Sequence, residues 1–578
     1  MTKTRFIWAI GSLIALAATI FPSTMVAQKG TPSANVGVGV ALLPSHIMFS
    51  ELPAPVPTGK ITVVPEPQTG RSEAEWKEIK AQAAVTPAVA LPSENKIFGA
   101  PNRPVGETLS PGASLDVFGS NEDLACSELV PSDMGVAVSA SYVVQVTNAC
   151  VEVFNRNGAL LTGYPKTLSS FFNQTGNFTY DPRILYDWQT GRFIATSATK
   201  LSDSGYVNVA VSETSNPTGG WYTYSLQFGS AGQWGDFPTV GQTDEGDNDN
   251  GLITICANIF TISNNSFVGN QCDFLNKFEM YQGHGFSFNY LNNLTIGGTL
   301  VDTLQPANLS NPYEKPRAQF LIDSYNIAFS CGSSSSGCNG LNVWAVSNAI
   351  PNSGSPGLVW SEINVSTPSS YTFPADADQP GDLNSVDTDD ERITATVSYS
   401  GGFLYPVINV GNGGTSAALG WKVAVFLNDN GDGHCTGTYL NACPTLDSHT
   451  AVAQEFCYNC GAGHSNSGYY GSIGVTPEGN WTMTANYSDE STNPGTFITS
   501  NRVTWPTPFH DFGGFICQAN NGYTQGRWGD YTGSAGDIEA KGTGTIFPAV
   551  WSSGMYVQSD GDWGTCIADS GYSQPTQP

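Results

Sequence analysis

Trp234-Gly235-Asp236-Phe237 recurs as Trp528-Gly529-Asp530-Tyr531, and Trp563-Gly564-Thr565 is a truncated copy of the same pattern. Between these copies the chain consists of short strand-like runs separated by Gly, Asn, Asp and Ser. A strand unit that cannot bury both of its faces alone is stabilised by packing against copies of itself. The recurring motif therefore predicts a radial or stacked β-architecture rather than a single sandwich.

Residues 116–572 have strand patterns throughout. Alternation with a period of two is clear in Tyr206-Val207-Asn208-Val209-Ala210-Val211, and Asn155-Arg156-Asn157-Gly158 has the composition of a hairpin turn. Grouping the strands gives units that begin near residues 134, 180, 235, 303, 384, 469 and 528. The spacing between the starts of successive units suits blades of four strands with their loops. We therefore predict an all-β fold, a single β-propeller of seven blades, with six as the alternative.

Four stretches of these units have counterparts in other proteins. They are Tyr180-Asp181-Pro182-Arg183-Ile184-Leu185-Tyr186-Asp187 with Gly191-Arg192-Phe193, then Trp234-Gly235-Asp236-Phe237-Pro238, Asp387-Thr388-Asp389-Asp390-Glu391-Arg392 and Arg527-Trp528-Gly529-Asp530-Tyr531. In them the chain resembles a loosely defined group of uncharacterised exported bacterial β-propeller proteins with the general plan of sialidase-like propellers. The resemblance implies a scaffold and no particular activity. The sialidase repeat Ser-x-Asp-x-Gly-x-x-Trp and an arginine triad are not found, so sialidase chemistry is not implied.

The N-terminus has the features of an export signal. Lys3 and Arg5 precede an apolar run over residues 6–20, and small residues follow up to Ala27. This run is shorter than the roughly 20 residues that span a bilayer. We predict that residues 1–27 are a cleaved signal peptide and that the mature chain is secreted or at the cell surface, extracellular or periplasmic, without membrane insertion. A retained signal anchor is the alternative.

Residues 28–115 are rich in Ala and Pro, a composition that favours extended backbone over regular sheet ladders. Ser72 and Glu75 have the spacing of a capping box, and Pro87 ends the helical pattern, so we expect one short helix near 72–85. We interpret this region as an arm or linker, with a cleaved propeptide as the alternative. Residues 573–578 form a tail.

All twelve cysteines follow residue 125, a usage that agrees with an oxidising compartment. Pairing neighbours in order predicts six local disulfides, with other pairings open between residues 435 and 460. The predicted pairs are Cys126–Cys150, Cys256–Cys272, Cys331–Cys338, Cys435–Cys443, Cys457–Cys460 and Cys517–Cys566.

The net charge of -27 arises although charged residues make up 12% of the chain. Such a chain repels nucleic acid and anionic membranes, and no basic patch with interleaved aromatic residues offsets the repulsion. We therefore exclude nucleic acid as a partner and expect an extracellular glycan or protein. The sequence does not determine the oligomeric state.

The Trp-Gly-Asp motif has a structural and a functional interpretation. Structurally, glycine permits a tight turn, aspartate accepts backbone N–H bonds, and tryptophan packs between blades. Functionally, Asp236 and Asp530 would lie at the mouth of the central channel as ligands or acid/base groups. His464, in a Gly-Ser-Asn loop, is the candidate catalytic base, and an ordinary loop histidine is the alternative. The candidate binding residues are aromatic: Trp234, Trp528, Tyr469 and Tyr470.

Calcium is the one cofactor for which the chain has a candidate site. Asn428-Asp429-Asn430-Gly431-Asp432-Gly433 resembles the first half of a calcium loop, with Asn428, Asn430 and Asp432 as oxygen ligands. The second half is not matched, because Tyr439 stands where a bidentate glutamate is needed. A solvated turn without metal is the alternative.

Three functions agree with these features. The first is extracellular recognition of a glycan or protein partner through the propeller loops, the second a polysaccharide lyase or glycoside hydrolase at the channel mouth, and the third a structural cell-surface component. The chain has neither a Gly-x-Ser-x-Gly elbow nor a His-Glu-x-x-His helix, so the sequence does not decide whether it is an enzyme. Asp236, Asp530, His464 and an arginine in one cleft would favour the enzyme. A flat aromatic surface would favour binding.

Overall fold

The computed structural model describes most of the chain from residue 31 to residue 573. The described residues are 31–56, 62–64, 71–87, 113–121, 129–148, 150–243, 251–326, 337–347, 358–381, 383, 385–427, 445–458, 466–477, 479–502, 509–518, 521–525, 527–538, 546–559 and 561–573.

The described elements are strands, with a few short helices. The N-terminal part contains β1 (Pro32–Ala41), β2 (Ser45–Met48), a 3-10 turn (Phe49–Glu51), β3 (Thr62–Val63), helix α1 (Glu73–Ala83), β4 (Ala113–Asn121) and β5 (Leu129–Val130). The middle part contains β6 (Gly135–Val138), β7 (Tyr142–Val146), β8 (Cys150–Asn155), β9 (Lys166–Thr167), α2 (Leu168–Phe171), β10 (Phe178–Asp187), β11 (Arg192–Lys200), β12 (Gly205–Ser212), β13 (Gly220–Gln227), β14 (Gln233–Gln242), β15 (Leu252–Thr261), β16 (Phe267–Asn276), α3 (Lys277–Tyr281), β17 (Phe286–Ile296) and β18 (Thr299–Leu300). The last part contains β19 (Gln305–Leu309), β20 (Gln319–Ser324), β21 (Cys338–Ser347), β22 (Val359–Tyr371), β23 (Val397–Ser400), β24 (Phe403–Tyr405), β25 (Val407–Gly411), β26 (Ser416–Ala424), β27 (Ala451–Tyr458), β28 (Asn466–Val475), β29 (Trp481–Asp489), β30 (Thr492–Arg502), β31 (Phe509–Gln518), β32 (Gly533–Asp537), β33 (Ile546–Val557) and β34 (Trp563–Ser573).

Most strands that follow one another in the chain pair antiparallel in the same sheet. The sheets are β6–β9, β10–β13 with β2, β14–β18 with β1, a nine-stranded sheet of β19–β27, β28–β31, and β32–β34 with β4. The nine-stranded sheet consists of two antiparallel groups that join through the parallel pair β19 and β23. A short parallel pair of β3 and β5 lies outside these sheets.

The innermost strands form a closed ring. Strands β6, β10, β14, β19, β23, β28 and β32 contact one another in this order, and β32 contacts β6. Strand β4, from the N-terminal part, pairs with β34 and is the outermost strand of the last sheet. This radial arrangement of antiparallel sheets is the predicted all-β propeller. The nine-stranded sheet counts as one blade or as two, so the number of blades, six or seven, stays a prediction.

Bulges interrupt three of the innermost strands, and the first copy of the Trp-Gly-Asp motif lies at one of them. The strand register shifts between Tyr180 and Arg183 in β10, between Asp236 and Thr239 in β14, and between Tyr469 and Ser472 in β28. At each bulge one residue that is not glycine has a left-handed backbone: Asp181 (φ 51°), Phe237 (φ 51°) and Tyr470 (φ 52°). Such backbone is costly for large side chains and is concentrated at functional sites.

Large aromatic side chains fill the space between neighbouring sheets. Trp234 of β14 is fully buried against Tyr180 of β10 and Phe260 of β15. Trp528 is also fully buried, between Tyr469 of β28 and Met555 of β33. The prediction that the motif tryptophans pack between sheets agrees with these contacts.

The N-terminal region is integrated into the propeller. Strands β1 and β2 extend two of its sheets, and β4 crosses the predicted boundary at residue 115. The Pro-rich composition had favoured extended backbone without ladders, but sheet edges with unpaired backbone groups can recruit such segments. Helix α1 has the predicted capping box, with Ser72 as N-cap and Glu75 at the third position. No described helix is long and apolar enough to cross a membrane.

Two of the six predicted disulfides are confirmed, Cys256–Cys272 and Cys517–Cys566. The first joins directly opposed residues of β15 and β16. Each of the other four predicted pairs includes at least one cysteine outside the described residues. The predicted signal peptide, residues 1–27, and residues 574–578 of the predicted tail 573–578 lie outside them as well, whereas Ser573 ends β34.

Candidate functional site

Four aspartates converge where innermost strands begin. Asp133 precedes β6, Asp181 and Asp236 lie at the bulges of β10 and β14, and Asp530 precedes β32. None of the four is more than 6% exposed. Carboxylates at such depth need partners, because burying an unpaired charge is costly. We call these four residues the carboxylate cluster.

Hydrogen bonds join three members of the cluster, Asp133, Asp181 and Asp530, across three sheets. Asn148 Nδ2 donates to Asp133 Oδ2 at 2.6 Å, and Asn148 Oδ1 accepts from the backbone N–H of Asp181 at 2.6 Å. Asp133 Oδ1 accepts from the backbone N–H of Asp530 at 2.6 Å. Asp133 and Asn148 therefore hold the first strands of neighbouring sheets in fixed positions, and the bulge backbone of β10 is part of the network.

Two arginines lie within the cluster. Arg527 Nη2 donates to Asp530 Oδ2 at 2.7 Å, and its Nη1 donates to the carbonyl oxygen of Val64. Arg183, 3% exposed, stacks its guanidinium on the ring of Tyr531 at 3.2 Å and near that of Phe237 at 5.0 Å. Arg183 Nε and Nη2 are buried and find no hydrogen-bond acceptor among the described residues. Buried donors without acceptors are uncommon and indicate water or a ligand at that position.

Burial shifts the ionisation of the cluster. Burial raises the pKa of Asp236 to about 7, although the nearby Tyr180 hydroxyl and Arg527 lower it in part. Burial also raises the pKa of Asp181 well above its ordinary value, and the neighbouring carboxylates Asp236 and Asp133 add to the shift. Asp236 Oδ1 and Tyr180 Oη make no well-formed hydrogen bond with any described residue. Asp236 is therefore poised to hold or release a proton near neutral pH.

Two small cavities lie inside the ring of innermost strands, along what we call the central channel. The first, of about 20 Å³, has room for about one water molecule and is lined by Arg183, by Tyr531 and by the hydroxyl side chains Thr396, Ser472, Thr532 and Ser534. The second, of about 30 Å³, lies along β10 and β32 and reaches Trp188. The lining of the first cavity combines hydroxyl groups with one guanidinium, which suits a single oxygen atom of a water or a ligand.

Residues from the N-terminal part cover the cluster. Val64 is 2% exposed and packs with Tyr180 and Trp234, while its N–H donates to the Val130 carbonyl at 2.7 Å. Helix α1 packs on the segment between β22 and β23, where Lys80 Nζ forms ion pairs with Asp376 at 2.8 Å and Asp387 at 3.1 Å. Charge from Arg527 also acts on the pKa of Asp387, so α1 lies at the same end of the channel. We call residues 62–64 and 71–87 the cover.

The structure brings two of the predicted site residues together. Asp236 and Asp530 both interact with Arg527, Asp530 through a hydrogen bond and Asp236 through charge, and their role as ligands or acid/base groups stays a prediction. His464 and the candidate calcium ligands Asn428, Asn430 and Asp432 lie outside the described residues. No described group of three or more His, Cys, Asp or Glu is arranged to hold a metal ion.

The four aromatic candidates are buried. Trp234 and Trp528 have no exposed surface, and Tyr469 and Tyr470 are at most 2% exposed. The Tyr470 backbone N–H donates to Asn409 Oδ1 at 2.7 Å at the bulge of β28. A binding role for these four side chains stays a prediction, and in this structure they pack inside the protein.

Sequence reasoning missed Asp133, Asn148, Asp181, Arg183 and Arg527 as members of the site. A signal was present for three of them. Asp181 and Arg183 stand in the motif Tyr180-Asp181-Pro182-Arg183, and Arg527 directly precedes the second Trp-Gly-Asp. Asp133 stands next to a predicted unit start, but nothing local distinguishes it from an ordinary turn aspartate.

Comparison with known proteins gives no family. No protein-family model matches the chain, and no curated protein matches it. The WD40 domain of SCAP from fission yeast aligns with 79% of this chain and 98% of its own length, at 10% identity and a TM-score of 0.30. Phage phi92 endosialidase aligns with 77% of this chain and 68% of its own length, at 8% identity and a TM-score of 0.27. The Vanderwaltozyma polyspora Nup133 β-propeller domain aligns with 75% and 93%, at 10% identity and a TM-score of 0.28. Likenesses at this level carry no argument about activity.

Proposed function

We propose that the protein is an exported carbohydrate-active enzyme, a glycoside hydrolase with its active site at the carboxylate cluster. The observation that carries this proposal is the convergence of Asp236 and Asp530 with Arg183 and Arg527 at one end of the channel. A pair of carboxyl groups in different environments is the arrangement that glycoside hydrolysis requires.

The chemistry follows from the two environments. Asp236, whose pKa is raised to about 7 by burial, holds a proton that it can give to the leaving glycosidic oxygen. Asp530, ion-paired to Arg527, accepts a proton from the attacking water, whose oxygen bonds to the sugar carbon. Arg183 donates from Nε and Nη2 to sugar oxygens, the acceptors that these groups lack in the described structure.

This activity requires that a glycan can reach the carboxylate cluster. Val64 and Lys80 hold the cover on the cluster through the contacts with Arg527, Asp376 and Asp387. A glycan reaches Asp236 only after the cover moves. Weakening the cover should therefore raise activity, and Lys80→Met removes its two ion pairs while keeping the length of the side chain.

The test compares wild type and Lys80→Met with Asp236→Asn and Asp530→Asn, the last two also combined with Lys80→Met. Binding and new reducing ends are measured on a panel of neutral and acidic polysaccharides. We expect cleavage that Lys80→Met increases and that each asparagine substitution lowers by about 100-fold or more, as for loss of a general acid or base. Asp273→Asn is the matched control, since Asp273 is buried with a pKa raised to about 8 by burial but lies outside the cluster.

Two outcomes would replace this proposal. Binding of a glycan without new reducing ends, abolished by Arg183→Met, would favour the recognition function, for which the unpartnered Arg183 donors are the supporting observation. If wild type and Lys80→Met show no glycan binding and no cleavage while their melting curves are unchanged, the result contradicts any glycan function of the cluster.

A further inference from the structure

Strand β1 forms the outer edge of the sheet that contains β14–β18. Among the described residues it pairs with β17 alone, from Pro32 opposite Ile296 to Ala41 opposite Phe286. Its other edge therefore carries backbone N–H and C=O groups that no described strand pairs. An edge of this kind is a template for a further strand.

The two faces of β1 differ in what they contribute to the molecule. Gly37 and Gly39 lie under the rings of Tyr290 and Phe288, and a Cβ on either glycine would collide with the ring. The alternate positions Val36, Val38 and Val40 are 52%, 63% and 65% exposed. The two glycines thus allow β1 to pack closely against β17, whereas the three valines add little to the hydrophobic core of the protein.

Exposed apolar surface continues past the end of the strand. Leu42 and Leu43 are each 79% exposed. Together with the three valines they form an apolar strip, which we define as Val36, Val38, Val40, Leu42 and Leu43. Edge strands of monomers are usually short, charged or interrupted by proline, and β1 has ten residues, no charge, and its one proline at the first position.

The distribution of charge favours a second copy of this chain as the partner that pairs with β1. The chain has 49 acidic against 22 basic residues, so two copies repel each other over most of their surfaces. Residues 31–43 and 285–301, which contain β1 and its neighbour β17, include no Asp, Glu, Lys or Arg. Two copies can meet there at the smallest electrostatic cost, and the strip has no carboxylate that would attract a basic partner.

We propose that this protein forms a homodimer by antiparallel pairing of β1 with β1 of a second copy. The two-fold axis passes at Val38, so that Val36 of each copy lies opposite Val40 of the other. Each valine then has a cross-strand apolar neighbour, and the two sheets become continuous. This dimer is independent of the function proposed for the carboxylate cluster.

The test is the mass of the purified protein in solution, measured by size-exclusion chromatography with light scattering over a range of concentrations. We expect a dimer for wild type and a monomer for Val38→Lys, which places two like charges together at the axis. Val56→Lys is the matched control, because Val56 is 77% exposed outside the strip, and it should remain a dimer. Equal melting temperatures of the three proteins establish that the folds are intact.

Cysteine substitution tests the register. Val38→Cys should form a disulfide between copies under mild oxidation, since directly opposed residues have Cβ atoms about 4.5–5.5 Å apart. Val56→Cys should not. A wild-type monomer at every concentration, or a Val38→Lys protein that remains dimeric, would overturn the proposal.

Discussion

Buried charge lies at two places along strand β10, and the two places differ in how completely the charged groups are hydrogen-bonded. At the far end, Asp187 accepts from Lys277 Nζ at 2.9 Å, from the Thr190 hydroxyl at 2.6 Å and from the Tyr281 hydroxyl at 2.9 Å. Lys277 also donates to the Gln242 side chain and the Thr243 carbonyl. At the bulges of β10 and the neighbouring β14, which we call the near end, Arg183 and Asp236 retain polar atoms without partners among the described residues.

The difference is visible in the pKa values. Burial would raise the pKa of Asp187, but Lys277 and the hydroxyl donors together hold it below its ordinary value. Burial raises the pKa of Asp236 to about 7, since its partners compensate less. A fully bonded charge stabilises one arrangement of the chain, whereas an incompletely bonded one has capacity left for a ligand or a proton.

Removing the cation at the far end should have the largest effect on stability. Lys277→Met leaves Asp187 buried without its counter-ion, and breaking such a pair typically costs about 3–5 kcal/mol. The free energy of unfolding from urea titration measures the loss, with Lys77→Met on the exposed face of α1 as control. A change no larger than that of the control would show that the hydroxyl donors alone hold Asp187.

The pH dependence of stability should separate the two ends. Asp236 has a folded pKa of about 7 against an ordinary value of 3.8, so the folded state binds more protons between these values. Its contribution is complete below pH 3.8 and falls as pH rises to about 7, at most by about 1.4 kcal/mol per pH unit. Asp187 has a lowered pKa, so its contribution is lost in the opposite direction, as pH falls below 3.8.

Melting temperatures of wild type and Asp236→Asn between pH 4 and pH 8 test this sign. The asparagine variant should lose less stability than wild type as the pH rises, and Asp203→Asn, at an exposed position, should follow wild type. Parallel curves for wild type and Asp236→Asn would mean that Asp236 is already ionised in the folded protein.

Removing the cation at the near end should have the smallest effect. Arg183→Met deletes buried donors that no described residue accepts, and methionine can still pack on Tyr531. We expect a change in unfolding free energy within about 1 kcal/mol, because the relieved desolvation offsets the lost attraction to the carboxylates. A loss as large as that of Lys277→Met would show that Arg183 is a structural residue and that the two ends do not differ in kind.

Local patterns in the sequence were sufficient for several features. Period-two alternation and turn residues predict the strands. The predicted unit starts lie within five residues of the first residues of β6, β10, β14, β19, β28 and β32, and 13 residues before β23. The spacing of Ser72 and Glu75 predicts the helix start. Cys256 and Cys272 lie on adjacent strands, where a disulfide between neighbours forms easily. Each of these depends on residues that are close in the chain.

The site was predictable in part. Asp236 and Asp530 stood out because they belong to a repeated motif, although 294 positions separate them. Asp133 and Asn148 did not stand out, because their roles come from bonds to strands of other sheets. The placement of β1, β2 and Val64 was not foreseen either. Pro-rich composition describes local backbone preference and contains no information about which sheet edge or channel end a segment will meet.

The sequence by itself determined that the chain folds into repeated β-units with tryptophan and Gly-Asp turns, since backbone preference and side-chain alternation act over a few residues. Tertiary structure decided which carboxylates share a guanidinium, how far burial raises the pKa of Asp236, and which segment covers the cluster. The physical reason is that desolvation and charge interactions depend on distances in space. Because β32 contacts β6 in the closed ring, short distances join residues that lie far apart in the chain.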